Sequence, residues 1–118
     1  MKGRYELDKK FDSIEPDSLF ISEITLAELK FGVANSQEIK RNTKTLNDFL
    51  TGVQILPIFD AIDIYALEKA RLRKSGKPID DFDLLIGSTA ITNDLILVTN
   101  NTKHFENLRK IKIENWIK

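Results

Sequence analysis

Leu95-Ile96-Leu97-Val98-Thr99 is the most β-rich run in the chain, and it is almost continuously apolar. A strand of that composition reads as a parallel strand covered on both faces. Parallel strands cannot be joined by tight turns; they need long crossovers, usually helices. The rest of the chain supplies strands and crossovers in alternation. Leu19-Phe20-Ile21 and Val53 to Phe59 are two further apolar runs, with Pro57 marking an end that is not hydrogen-bonded on both sides. Ile111 to Trp116 alternates as a final edge strand does. Helical spacing of apolar residues is found from Ser22 to Asn35, from Ser36 to Gly52, and from Ile62 to Leu72 after an Asp60 cap. Another helix is expected from about Phe82 to Asn93, and a weak one up to Phe11. The expected fold is α/β with a mainly parallel sheet.

At 118 residues the chain is of single-domain size and long enough to bury a core without staples. It has no cysteine, which excludes disulfides, zinc-thiolate sites and cysteine nucleophiles and fits a reducing cytoplasm. The one histidine, His104, leaves little scope for a histidine-rich metal site. No window approaches a membrane span, and Met1 to Glu6 lacks an apolar leader core, so no membrane association is expected. Eighteen basic and eighteen acidic residues cancel, so bulk charge carries no nucleic-acid signature. Two local basic clusters, Lys40, Arg41 and Lys44, then Arg71, Arg73, Lys74 and Lys77, either grip phosphate or are solvated helix faces.

Chemistry is concentrated where parallel strands end, because ligands of open α/β sheets bind beyond the carboxyl ends of the strands. The segment Gly76 to Thr89 passes from a Gly–Pro stop through Asp80, Asp81 and Asp83 into apolar residues. Asp80 or Asp81 can cap the helix that follows. Asp83 lies one residue before Leu84-Leu85-Ile86, so it faces the edge of the core; it is either a first-turn carboxylate that complements the helix dipole or a metal or catalytic group. Glu28 poses a similar choice. Thr25-Leu26-Ala27-Glu28 has the form of a capping box, yet the apolar neighbours Ile24, Ala27 and Leu29 suggest a largely buried helix whose carboxylate lines a cleft. Asn100 and Thr102 follow the strongest strand and either make a turn or face a ligand. There is no Gly-rich phosphate loop, no Ser-His-Asp arrangement and no metal-binding histidine pair. What remains are oxygen ligands, which suit Mg²⁺ or Mn²⁺. Such an ion activates water and stabilises charge on a phosphodiester.

Taken in order, Ile21-Ser22-Glu23-Ile24-Thr25-Leu26-Ala27-Glu28-Leu29, Gly76-Lys77-Pro78-Ile79, Asp83-Leu84-Leu85-Ile86, Leu97-Val98-Thr99-Asn100-Asn101-Thr102 and Ile113-Glu114-Asn115-Trp116 closely resemble the PIN-domain toxins of VapC type. The resemblance covers nearly the whole chain. It implies a PIN-like three-layer fold, with a mainly parallel sheet flanked by helices. It also implies a metal-dependent endoribonuclease of a toxin–antitoxin system, cytoplasmic, usually dimeric and held inactive by a cognate antitoxin. Carried over by position, Glu28 matches the family's helix glutamate and Asp83 its first-turn aspartate, both expected to bind Mg²⁺ or Mn²⁺. Asn100 falls where members carry aspartate or asparagine, flanked by Thr99 and Thr102.

Members of that family open with a strand ending in Leu-Asp-Thr-Asn, whose aspartate is a principal metal ligand. That segment has no counterpart here, since Asp8 is followed by Lys9-Lys10 and stands too close to Leu19 for a helical crossover. The expectation is a single PIN-like domain, N-terminally incomplete and without the usual central strand. A non-catalytic module that binds an antitoxin or dimerises is the alternative to a nuclease. A receiver-type signalling domain is disfavoured, because no aspartate directly ends a strong strand.

Overall fold

The computed structural model describes residues 19–99 and 102–115. The chain divides into two compact units, Met1–Leu56 and Pro57–Lys118. The expected opening helix, the loop from Ser13 to Ser18, Asn100 and Trp116 lie outside the described residues.

In the first unit, β1 (Leu19–Ser22) leads directly into helix α1 (Glu23–Ala34), and α2 (Ile39–Leu50) returns the chain to β2 (Val53–Leu56). The two strands pair in parallel, from Leu19 opposite Val53 to Ser22 opposite Leu56. The strand-to-helix switch is made by Ser22, whose Oγ accepts the backbone N–H of Thr25 at 3.0 Å. That bond satisfies one of the orphan donors of the first turn. Helix α2 has the apolar stripe that its sequence announces, and Leu46 on that stripe is buried. Helix α1 departs from expectation, for none of its residues is buried and Phe31 is 68% exposed. Its apolar residues are spread around the whole circumference, so one packed face cannot cover them all.

In the second unit, a 3-10 turn at Phe59–Ala61 feeds helix α3 (Ile62–Lys74), followed by α4 (Asp81–Thr92), β3 (Ile96–Val98), the short α5 (Thr102–Phe105) and β4 (Lys112–Glu114). Asp60 does not cap α3 as expected: it sits inside the 3-10 turn, and the helix enters from Ala61 with no side-chain cap. The predicted stop is present. Gly76, at φ 74°, lets Lys77 N–H reach Leu72 C=O at 2.9 Å and Gly76 N–H reach Arg73 C=O at 3.2 Å. This pair of bonds caps the last turn of α3, and the left-handed backbone it needs is open to glycine.

Strands β3 and β4 pair in parallel, Ile96 opposite Lys112 through Val98 opposite Glu114. The ladder is shorter than the apolar run, because Leu95 N–H is held by Ala90 C=O at 2.9 Å in the turn that ends α4. Nor is β3 covered on both faces: Ile96 is 55% exposed, while Leu97 and Val98 are half-buried. The core of this unit is Leu72, Leu84, Phe105 and Leu108, with Tyr65, Ile79, Ile86, Leu97 and Ile113 packed around it. Each fully buried side chain of that size contributes about 2 kcal/mol. Gly87 belongs to this packing. A Cβ there would stand 2.5 Å from Leu108 Cδ1 and 3.3 Å from Phe105 Cδ1, so the bare backbone admits both side chains against α4. No helix among the described residues is long and apolar enough to cross a membrane.

Candidate functional site

Asp80 is the cap of α4: its Oδ2 accepts the backbone N–H of Phe82 at 3.0 Å and of Asp83 at 3.4 Å. With the capping role filled, the other two aspartates are left for side-chain work. Asp81 turns toward α3, where its Oδ1 accepts Tyr65 Oη–H at 3.0 Å and lies 2.9 Å from Lys69 Nζ. Lys69, and after it Tyr65, hold the Asp81 carboxyl below the ordinary aspartate range, and the same pairing raises Lys69. Asp81 and Lys69 also line an open cleft of about 660 Å³ with Arg73, Gly76 and Ile79; Asp83 is not among its lining residues.

Asp83 points the other way, toward α5. Its Oδ2 lies 3.2 Å from Nδ1 of His104, with the carboxylate side chain 28% exposed and the imidazole 58%. Helix periodicity explains the contact. Asp83 and Gly87 are one turn apart on the same face of α4, and Gly87 is where Phe105 and Leu108 dock. Buried Phe105 anchors α5, and its sequence neighbour His104 is thereby brought over Asp83. Among the described residues no hydrogen-bond partner reaches Asp83 Oδ1 or His104 Nε2.

A second set of contacts holds this segment in place. Buried Glu68 on α3 accepts Arg71 through Nε at 2.9 Å and Nη2 at 2.7 Å, and accepts the backbone N–H of Arg109 at 2.7 Å. Arg71, followed by Arg109, keeps Glu68 below the ordinary glutamate range in spite of its burial. Arg71 Nη2 also donates to Asn107 C=O at 2.6 Å. Arg71 is therefore committed to the scaffold and is not a phosphate-gripping cation. In the other basic cluster, Arg41 pairs with Glu38 and Lys44 with Asp48, both exposed and within or beside α2.

Glu28 lies in the first unit, exposed, in the middle of α1. The capping-box alternative does not apply to it, because Ser22 is the cap and Thr25 stands inside the helix. The expected burial does not apply either. Asn100 is outside the described residues. The structure therefore brings Asp83 together with His104, a residue the sequence argument had set aside. Two signals marked His104: it is the chain's only histidine, and it stands two residues after the Asn-Asn-Thr that ends at Thr102.

The donor chemistry fits a hard divalent cation. Asp83 offers one oxygen without a partner among the described residues, and Mg²⁺ or Mn²⁺ asks of a protein only one or two carboxylates beside water and phosphate. No group of three or more His, Cys, Asp or Glu residues gathers around one point among the described residues.

The family model for the PIN domain matches residues 2–111. Ribonuclease VapC2 of Rickettsia felis is 37% identical over 103 residues, covering 86% of this chain and 77% of the relative. The tRNA(fMet)-specific endonuclease VapC of Shigella flexneri is 31% identical over 105 residues, covering 88% and 80%. Among solved structures, DNA-bound VapBC from Salmonella typhimurium superposes with a TM-score of 0.86 at 29% identity, over 94% of this chain and 84% of that one.

Proposed function

The chain belongs to the PIN-domain family, in its VapC type, and from that premise we propose that it is the endoribonuclease toxin of a toxin–antitoxin system, cleaving RNA phosphodiesters with Mg²⁺ or Mn²⁺. The observation that carries the reading is the Asp83 carboxylate. It stands in the first turn of a capped helix, fixed through one oxygen, with the other oxygen unengaged among the described residues. Relatives named as ribonucleases support the reaction class. Their solved VapBC assemblies support an antitoxin as partner.

Asp83 is the residue of the second unit that we assign to the metal; Glu28, exposed in α1 of the first unit, and Asn100 are proposed for the same chemistry by their sequence positions alone. When bound, the ion would supply activated water and stabilise charge on the phosphodiester. The chain's own contribution is positional. Asp80 takes the orphan N–H groups of the first turn of α4, so Asp83 is not needed as a cap and its side chain turns toward α5. Thr99 N–H is bonded to Glu114 C=O at 3.1 Å, which fixes the end of β3. Two protein partners go with this reading, the antitoxin and a second copy in a homodimer.

Incubating the purified protein with labelled single-stranded and structured RNA tests this reading. Cleavage that requires Mn²⁺ or Mg²⁺ and stops on chelation is expected; no cleavage above the chelated background would favour the non-catalytic alternative.

A further inference from the structure

The contact between His104 and Asp83 assigns a role to a residue that the proposed metal site does not otherwise use. We infer that His104 is a positioning residue: its neutral ring donates Nδ1–H to Asp83 Oδ2 and so presents Oδ1 to the cation. The inference rests on the metal-site reading of Asp83 given above. It stands on three observations. The Nδ1 to Oδ2 separation of 3.2 Å is at the long end of a hydrogen bond, and no other partner reaches either group among the described residues. Asp83 is carried by a helix turn whose backbone is pinned by Asp80, so its side chain retains little freedom beyond its own rotamers. His104 is adjacent to Phe105, 4% exposed, which seats the short α5 on Gly87 and fixes the ring's origin.

A carboxylate that binds a metal through one oxygen is commonly held by a hydrogen bond to the other, which limits its rotation and sets which lone pair faces the ion. Losing such a partner generally lowers metal affinity 10–100-fold. The donor must be Nδ1–H, because a ring carrying its proton on Nε2 would direct a lone pair at the carboxylate. The arrangement requires no charge on the imidazole.

Two measurements test the inference, neither of which depends on turnover. Because His104 is the only histidine, the two-bond proton–nitrogen spectrum of ring-labelled protein reports its tautomer without assignment work. At a pH of about 8.5, above the ordinary histidine range, the Nδ1–H form should dominate in the wild type and give way in Asp83→Ala. A dominant Nε2–H form in the wild type overturns the inference. Calorimetric titration with Mn²⁺ supplies the second test. Affinity should fall about tenfold or more in His104→Leu and recover substantially in His104→Asn, whose amide N–H takes the place of Nδ1–H. Unchanged affinity in His104→Leu, alongside loss in Asp83→Ala, overturns the positioning role and leaves the metal site standing. If the wild type binds no Mn²⁺, the metal site and the inference fall together.

Discussion

Glu68 accepts the backbone N–H of Arg109 at 2.7 Å, which ties α3 to a turn 41 residues further along the chain. The same carboxylate holds Arg71, and Arg71 reaches Asn107 C=O. The turn so fixed joins α5 to β4, so this lock helps decide where Phe105 and His104 sit. In Glu68→Ala a buried carboxylate is lost and the Arg109 N–H is left to find water. The expected cost is about 2 kcal/mol, read as a lowered urea midpoint at unchanged m-value. Glu68→Gln keeps a neutral acceptor and should cost about half as much. An unchanged midpoint in Glu68→Ala would show that the lock contributes nothing.

The same pairings set an acid limit. Glu68 and Asp81 have folded-state pKa values below their ordinary ones, Glu68 chiefly through Arg71 and Asp81 chiefly through Lys69. A depressed carboxyl pKa means that the unfolded chain binds the proton more readily. Their stabilisation is therefore complete above the ordinary carboxylate range, and it is lost as pH falls through the folded-state values. Urea midpoints should be flat near neutrality and decline below a pH of about 4.5. The decline should be shallower in the Glu68→Gln, Asp81→Asn double variant; an equally steep decline would remove these two groups as its source.

Capping is separable from chemistry in the Asp80–Asp81–Asp83 series. Asp80→Ala leaves the Phe82 and Asp83 N–H groups without their acceptor and should cost about 1 kcal/mol, whereas Asp80→Asn should cost only a few tenths. Asp83→Asn should leave the urea midpoint close to wild type, because Asp83 makes no capping bond. A larger loss from Asp83→Asn than from Asp80→Ala would assign the cap to the wrong residue.

The exposed pair Lys44–Asp48, 3.0 Å apart on one face of α2, should be nearly silent in stability. Lys44→Met is expected to change the unfolding free energy by less than about 0.5 kcal/mol. If RNA cleavage nevertheless falls several-fold and its salt dependence flattens, Lys44 contacts phosphate; unchanged cleavage marks a solvated helix face.

The alternation of strand and helix could be read from the chain because its signals are local: the apolar stripe that includes Leu46, the Gly76 stop and the Asp80 cap each depend on neighbours a turn or two away. What could not be read depends on contacts between distant segments. Nothing near Leu95 in sequence shows that its N–H is taken by Ala90, or that Ile96 faces outward. Asp60 has the composition of a cap, but the 3-10 turn at Phe59–Ala61 places it a step too early. The site follows the same division. The first-turn position of Asp83 was legible, whereas its contact with His104 spans 21 residues and depends on Phe105 and Leu108 meeting at Gly87. Glu28 was singled out through a motif, and its surroundings in α1 are more exposed than its apolar neighbours implied.

The most direct test of the account compares wild type with Asp83→Asn in Mn²⁺-dependent cleavage of labelled RNA, both proteins first shown to unfold at the same urea concentration. Asparagine keeps the shape of the side chain and an acceptor for His104 but removes the charge that would hold the cation. Cleavage should fall by at least a hundredfold, on the order of 3 kcal/mol in the transition state. Equal cleavage by the two proteins would contradict the assignment of Asp83 as the metal-binding acid of this site.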